Sequence, residues 1–209
     1  RAPEFCIDGR EGEIWHVKLE LKLIAQVGII GLPNAGKSTL IAALSSARPK
    51  IADYPFTTLY PNLGVVGIDE KEFVMADIPG LIKGAHEGAG LGHRFLGHLE
   101  RCQILLHLVD ATGNDPVTAW QILRQELQAY GGGLDEKPEI VGLTKIDAIL
   151  PDYAAKLAAE LCAAGAGQVK YLSSITGSGV NAILRQLVSV IETSRTKDAI
   201  PQEVEPWSP

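Results

Sequence analysis

The sequence has few cysteines, no excess of positive charge and no long apolar run, and each shortage argues against a class of protein. Its three cysteines, Cys6, Cys102 and Cys162, are far apart and include no Cys-x-x-Cys pair, which favours reduced thiols over a disulfide framework. The formal net charge of −6 argues against a broad basic nucleic-acid surface. No apolar run approaches the roughly 20 residues of a membrane-spanning helix. What remains is an ordinary globular composition over 209 residues, 46% hydrophobic and 21% charged, which suits one α/β domain.

The chain starts at Arg1 and has neither an initiator methionine nor a signal-peptide pattern. We therefore expect it to be a fragment of a longer protein. Apolar and charged residues alternate over 17–23, as in a half-exposed strand. We therefore divide the chain into an appendage (1–25), a main domain (26–194) and a polar, proline-containing linker (195–209).

Residues 31–38 form the most informative motif. They read Gly-Leu-Pro-Asn-Ala-Gly-Lys-Ser, after the apolar run 27–30 and before a helical segment at 39–44, which is the context of a phosphate-binding loop. Backbone N–H groups and the positive end of the helix attract phosphate there. We expect Lys37 to reach the β- and γ-phosphates and Ser38 to ligate Mg²⁺. The expected nucleotide contacts are Gly31, Leu32, Pro33, Asn34, Ala35, Gly36, Lys37 and Ser38.

The rest of the main domain alternates strands and helices. Strands are predicted at 27–30, 63–68, 72–76, 104–110, 139–143 and 168–172, and further helices at 93–101, 116–130, 152–163 and 179–194. The segment 48–62 is predicted to be irregular. The pattern predicts an α/β fold with a mainly parallel six-stranded sheet and helices on both faces.

An acidic motif follows the predicted strand 72–76. It reads Asp77-Ile78-Pro79-Gly80, and the carboxyl end of a strand is where ligands bind in an open α/β sheet. We expect Asp77 to hold Mg²⁺, usually through water, and the Gly80 N–H to sense a γ-phosphate. The motif lies 39 residues after Ser38, and the combination predicts a nucleotide site.

A second motif, Thr144-Lys145-Ile146-Asp147, follows the strand 139–143. The Asp147 carboxylate is suited to accept hydrogen bonds from guanine N1 and the 2-amino group, a donor pair that adenine lacks. We expect Lys145 to lay its stem along the base and the phosphate loop. After the strand 168–172, backbone N–H groups of Ser173, Ser174 and Ile175 are candidates to contact the guanine oxygen.

These motifs, in this order, resemble a Ras-type P-loop GTPase domain over 26–194, and residues 19–25, 54–64 and 77–92 closely resemble the Obg family of GTPases. The resemblance implies a Mg²⁺-dependent protein that slowly hydrolyses GTP to GDP and acts as a switch in large ribosomal subunit assembly. It implies that residues 1–25 are the end of the N-terminal Obg domain, which would contact the ribosome. It also implies a bacterial cytoplasm or plastid stroma, and we expect a monomer.

The resemblance also assigns roles to residues within 54–64, which correspond to the first switch segment of such GTPases. Thr58 would be a second Mg²⁺ ligand when GTP is bound, with Thr57 a weaker candidate. Phe56, Thr57, Thr58, Leu59 and Tyr60 would line the nucleotide. Two residues depart from the family pattern: Thr144 replaces the usual Asn, which predicts a weaker tether to the phosphate loop, and Ser174 replaces the usual Ala.

Catalysis needs a group that positions water, and Leu81 occupies the position where Ras-type enzymes have Gln. Asn34 either helps to ligate a K⁺ ion beside the phosphates, as in similar GTPases, or only stabilises the loop. We assign catalytic roles to Asn34, Lys37, Thr58 and Gly80. The arginines near the switches, Arg48, Arg94 and Arg101, are expected at the surface rather than in catalysis.

Two alternative functions stay open. One is a module that senses GDP or guanosine tetraphosphate with negligible turnover, and the other is an ATPase, against which Asp147 argues. Three histidines, His86, His93 and His98, cluster in sequence and are expected to be solvated rather than to bind a metal. His107 lies in an apolar run and is expected to be a core histidine with one satisfied hydrogen bond.

Overall fold

The computed structural model describes residues 12, 14–17, 25–44, 50–51, 62–77 and 91–198. Most of the strand predicted at 17–23 lies outside these residues, as do the chain's first 11 residues and its last 11. Among the described helices, none combines the length and the apolar character that crossing a membrane requires.

Within the described ranges, one sheet of seven strands forms the centre of the domain, in the order β2-β3-β4-β1-β5-β6-β7. The four pairs from β4 through β1, β5 and β6 to β7 are parallel, and β2–β3 and β3–β4 are antiparallel. The mainly parallel sheet is confirmed. The strands are β1 (Ala25–Ile30), β2 (Lys50–Ile51), β3 (Asn62–Ile68), β4 (Lys71–Asp77), β5 (Cys102–Asp110), β6 (Glu139–Thr144) and β7 (Val169–Tyr171).

The six predicted strands are all present, and β2 is an addition. It has two residues, pairs with Asn62 and Leu63 at the edge of the sheet, and lies in the segment predicted to be irregular. Two residues are too few to show a period-2 pattern, so only pairing with β3 defines this strand.

Five α-helices flank the sheet in the part of the chain that the structure describes. They are α1 (Lys37–Leu44), α2 (Leu91–Glu100), α3 (Pro116–Tyr130), α4 (Pro151–Ala163) and α5 (Val180–Asp198). Each was predicted, and the bounds of α3 agree with the prediction because local signals fix them. Asp115 accepts a hydrogen bond from the Thr118 N–H at 3.0 Å, Pro116 opens the helix, and Gly131 follows it with φ 76°.

The helix α5 continues to Asp198, four residues beyond its predicted end at 194, and the division of the chain at residue 195 stays a prediction. The last turns of α5 are polar and carry no apolar period, so the pattern gave no reason to extend the helix. Arg and Lys nevertheless propagate a helix well once it is nucleated.

The alternation of side chains along β5 divides the core between the two faces of the sheet. Ile104, Leu106 and Leu108 pack into a cluster with residues of α1 and α5. Leu105 faces the opposite cluster, with residues of α2 and α3. Because helices cover both faces, β5 is buried almost throughout. The carboxyl ends of β1, β4, β5 and β6 therefore meet at one edge, where the sequence places its motifs.

Candidate functional site

The phosphate loop connects β1 to α1, and glycine is required at its first position. Gly31 has φ 156°, and a Cβ there would lie 2.6 Å from the carbonyl oxygen of Leu108 on β5. Gly36 has φ 92°, a conformation that residues with a side chain rarely adopt. The loop backbone therefore passes close to β5 before α1 begins, and the N-terminus of α1 faces the loop.

Lys37 bridges the loop. Its Nζ donates hydrogen bonds to the carbonyl oxygens of Gly31 at 2.9 Å and Leu32 at 3.2 Å. Burial lowers the pKa of Lys37 from its usual value, and the nearby Asp77 opposes that shift. A partly desolvated ammonium held over the loop is suited to bind an anionic group, and the predicted contact of Lys37 with the phosphates stays a prediction.

Ser38 and Asp77 meet beside the loop. The Ser38 hydroxyl donates a hydrogen bond of 2.6 Å to Asp77 Oδ2 across 39 residues of sequence. Asp77 is 2% exposed, and its second oxygen, Oδ1, is buried and has no hydrogen-bond partner. A buried carboxylate oxygen without a partner is unfavourable. Hydroxyl and carboxylate oxygens are ligands that Mg²⁺ accepts, so the two predicted metal ligands fit that ion.

Asn34 occupies the left-handed region, with φ 66°. Asparagine tolerates this conformation better than most residues, which accounts for its place in the loop. Its side chain is exposed and makes no hydrogen bond to the described residues, so the amide oxygen is available to a ligand. The proposed K⁺ role of Asn34 stays a prediction.

Thr144 joins the second motif to the phosphate loop. Its buried hydroxyl lies 3.0 Å from the carbonyl oxygen of Ala35 and 3.2 Å from that of Val109. A hydroxyl has one hydrogen and an Asn amide has two, so Thr144 donates to one of these carbonyls at a time. The tether expected to be weaker is therefore present in this chain.

Lys145 and Asp147 belong to one tight turn. Lys145 is left-handed, with φ 57°, and it caps a 3₁₀ helix, Ile146–Ala148, that contains Asp147. Asp147 is exposed and makes no hydrogen bond to the described residues. Its carboxylate is therefore free to meet a base edge.

Asp110 is a site residue that the sequence patterns did not indicate. Lys145 Nζ lies 2.5 Å from Asp110 Oδ2, whereas the sequence predicts only the base and the phosphate loop as neighbours of Lys145. The signal was available, because Asp110 ends the buried strand β5 as Asp77 ends β4. In both cases an acidic residue at the carboxyl end of a strand indicates a place where a ligand binds.

The third predicted segment needs a correction at Ser173. Its N–H donates to the carbonyl oxygen of Ser178 at 2.9 Å, and the residue is fully buried. This amide is therefore not available to a guanine oxygen. The neighbouring residues Ser174 and Ile175 keep that predicted role, and Ile175 is exposed.

Several predicted site residues lie outside the described part of the chain, and their roles stay predictions. They are Phe56, Thr57, Thr58, Leu59, Tyr60, Ile78, Pro79 and Gly80. Leu81, Arg48 and His86 are outside it too.

Arg101 is not placed to serve the site. It directly precedes β5, whose other end, nine residues on, is Asp110 at the nucleotide edge. At about 3.3 Å per residue, the two ends of β5 are about 25 Å apart.

His107 is a core residue, as predicted. It is 1% exposed, and its Nδ1 lies 2.8 Å from Glu139 Oε1. Trp120 Nε1 donates to the same oxygen at 3.2 Å, and Arg124 lies 3.1 Å from Oε2. Burial raises the pKa of Glu139, but the hydrogen bond from His107 and the other partners outweigh burial and lower it. Across the described ranges, no group of three or more His, Cys, Asp or Glu side chains is arranged to hold a metal ion.

The loop, the Ser38–Asp77 pair and the Asp147 turn, on a mainly parallel sheet, define a P-loop GTPase domain. A family model described as "50S ribosome-binding GTPase" matches residues 26–145, more than half of the 209 residues. The chain belongs to this GTPase family.

Solved structures share the fold. The G domain of the iron transporter FeoB from T. maritima matches with a TM-score of 0.60 and 22% identity, covering 78% of this chain and 96% of that one. The longer FeoB cytosolic domain from T. maritima in GDP form I matches with a TM-score of 0.61 and 23% identity, and the match covers 79% of this chain and 62% of that one. A nucleolar GTP-binding protein 1 from Plasmodium falciparum matches with a TM-score of 0.58 and 18% identity, and the match covers 82% of this chain and 88% of that one. This chain spans about three fifths of the FeoB cytosolic domain, and such identities support the fold alone.

Proposed function

We propose that the protein binds GTP and GDP with Mg²⁺, hydrolyses GTP slowly, and acts as an Obg-like switch in large ribosomal subunit assembly. The observation that carries the nucleotide and metal part is the Ser38–Asp77 contact, with an unpartnered buried carboxylate oxygen beside the phosphate loop. The family description, with its reference to the 50S ribosome, supports the ribosomal part, as does the resemblance of the switch segments to the Obg family.

The phosphate end supplies binding by charge. Backbone N–H groups of the loop and the Lys37 ammonium would meet the phosphates. Ser38 and Asp77 would hold Mg²⁺, which neutralises charge that develops on the phosphate oxygens. Asp147 would choose guanine, because adenine offers no pair of donors to a carboxylate.

Hydrolysis would be slow because Leu81 carries no polar atom to orient the attacking water. In Ras-type enzymes a Gln near this position does so, and an arginine supplied by a partner contributes about 10³–10⁵ in rate. Asn34, exposed in the loop, would instead ligate K⁺ next to the phosphates and supply positive charge there. Faster turnover in K⁺ than in Na⁺, lost in Asn34→Ala, would support this role, and equal rates would refute it.

The decisive experiment measures binding of GTP, GDP and ATP, and then single-turnover GTP hydrolysis with and without large ribosomal subunits. We expect tight guanine nucleotide binding, weak ATP binding, and slow hydrolysis that ribosomal particles accelerate. Guanine binding without measurable turnover would favour a nucleotide-sensing module, for which Leu81 is the supporting observation. Preference for ATP would contradict the role of Asp147.

A further inference from the structure

Asp110 stands beside the first residue of the guanine-recognition motif. The parallel register of β5 and β6 pairs Asp110 with Thr144, and the Ala111 N–H donates to the Thr144 carbonyl oxygen at 3.1 Å. The ends of the two strands are therefore joined where the recognition turn begins. A side chain at Asp110 reaches the next residue of that turn, Lys145.

Both oxygens of the Asp110 carboxylate are occupied. Oδ1 accepts from the Thr112 N–H at 2.9 Å and from the Thr112 hydroxyl at 2.6 Å, and Oδ2 lies 2.5 Å from Lys145 Nζ. Burial raises the pKa of Asp110, but the hydrogen bonds from Lys145 and Thr112 outweigh burial and lower it. Thr112 fixes the direction of the carboxylate, and the carboxylate fixes the ammonium of Lys145.

Lys145 in turn determines the shape of the segment that carries Asp147. It adopts a left-handed conformation with φ 57° and ψ 34°, which is unfavourable for a residue with a side chain. Its carbonyl oxygen accepts from the Ala148 N–H at 3.0 Å and closes the 3₁₀ turn. The salt bridge to Asp110 connects the side chain of this left-handed residue to the end of β5.

From this geometry we infer that Asp110 is a positioning residue for guanine selection, acting through Lys145 on the turn that presents Asp147. The inference rests on the proposed function, because Asp147 is there the group that selects guanine. Asp147 has no hydrogen bond to the described residues, so the backbone of its turn sets its direction. Two hydrogen bonds to a base edge need close alignment, and a looser turn would lose them first.

The test compares GDP with inosine diphosphate, which lacks the 2-amino group and so forms fewer hydrogen bonds to Asp147. The 209-residue chain and its Asp110→Ala and Asp110→Asn variants are titrated with both nucleotides in Mg²⁺ by calorimetry. Loss of one charge-assisted hydrogen bond predicts about tenfold weaker GDP binding. We expect the binding of inosine diphosphate to weaken less, so that the ratio of the GDP affinity to the inosine diphosphate affinity falls roughly threefold or more.

Two further variants keep the inference testable if Asp110→Ala does not fold. Thr112→Val keeps the charge of Asp110 but removes one donor, and should lower the preference about twofold. In a Lys145→Ala background, Asp110→Ala should change the preference for GDP by less than about twofold, because the two residues act as a unit. Asp69→Asn is the control. It removes an exposed carboxylate that Arg185 holds at 2.6 Å, at the opposite edge of the sheet, and should leave both affinities unchanged.

The outcomes separate this inference from the proposed function. An unchanged preference in all the Asp110 and Thr112 variants overturns the role of Asp110. An equal loss of affinity for both nucleotides also overturns it, because that result indicates a purely structural ion pair. A full Asp110 effect in the Lys145→Ala background rejects the path through Lys145. If the unmodified chain does not bind GDP, the proposed function itself fails.

Discussion

The phosphate end and the base end of the site lie on the same edge of one sheet but are held in place differently. At the phosphate end, Lys37 bonds to backbone carbonyls and Asp77 is buried. At the base end, Asp147 is exposed, and its turn depends on contacts from Lys145 to the neighbouring strand. The first end relies on backbone and desolvated charge, and the second on side chains positioned by other side chains.

This difference follows from what each end has to recognise. Phosphates are highly charged and common to all nucleotides, so oriented backbone N–H groups and one ammonium are sufficient. A base is neutral and is recognised by the placement of its donors and acceptors, so a misaligned carboxylate loses selectivity. We therefore expect mutations at the phosphate end to weaken the binding of all nucleotides, and mutations at the base end to change which nucleotide binds best.

Lys37→Ala should have the largest effect. Truncating one partner of a desolvated charge pair costs about 2–5 kcal/mol, so affinity should fall by about two orders of magnitude or more, for GDP and inosine diphosphate alike. Calorimetry measures this loss. Lys71→Ala is the control, because Lys71 is an exposed lysine paired with Glu192 at the far edge. Affinity retained within a few-fold would contradict the phosphate-loop assignment.

Asp147→Asn should come next, with a loss of about a hundredfold for GDP and a gain for xanthosine diphosphate. The amide offers a donor where xanthine has a second carbonyl oxygen, so preference should shift toward xanthine. Competition binding measures the shift. Asp152→Asn, in the first turn of α4, removes an exposed carboxylate nearby and should change neither affinity. A GDP loss without a xanthine gain would mean that Asp147 does not contact the base.

Ser38→Ala should abolish the effect of Mg²⁺ on GTP binding. Removing Mg²⁺ with EDTA should weaken GTP binding to the unmodified chain by about tenfold, since a metal that binds the complex stabilises it by mass action. The variant should already bind weakly and respond little to EDTA. Thr39→Ala removes the next hydroxyl on the exposed side of α1 and should keep the full Mg²⁺ response. Equal responses in Ser38→Ala and Thr39→Ala would remove Ser38 from the metal site.

Thr144→Val should have the smallest effect, and it tests the connection between the two ends. The substitution leaves the Ala35 and Val109 carbonyls without the Thr144 donor. We expect a loss of about 1 kcal/mol in the free energy of unfolding and GDP binding weaker by a few-fold. Chemical denaturation measures the first and calorimetry the second. Thr193→Val removes an exposed hydroxyl that bonds within α5 and should be nearly neutral. A neutral Thr144→Val would show that the two ends are independent.

The parts of the fold predicted well are those with local signals. The phosphate loop is contiguous, α3 is bounded by Asp115, Pro116 and Gly131, and the long strands have clear apolar runs. The strand β2 and the end of α5 carried no such signal, because pairing defines the first and helix propagation the second. At the site, the salt bridge from Lys145 to Asp110 and the occupied N–H of Ser173 depend on neighbours across the fold.

By itself, the sequence determined which chemical groups are present: a glycine-bounded loop, one lysine and one serine at its end, and acids after buried strands. Which of these groups come into contact depends on how the strands pair. Ser38 and Asp77 lie 39 residues apart in sequence and 2.6 Å apart in space, because β1 pairs in parallel with β4 and aligns Ile29 with Asp77. Parallel pairing in register brings the ends of distant strands to one edge, and no local pattern encodes that register.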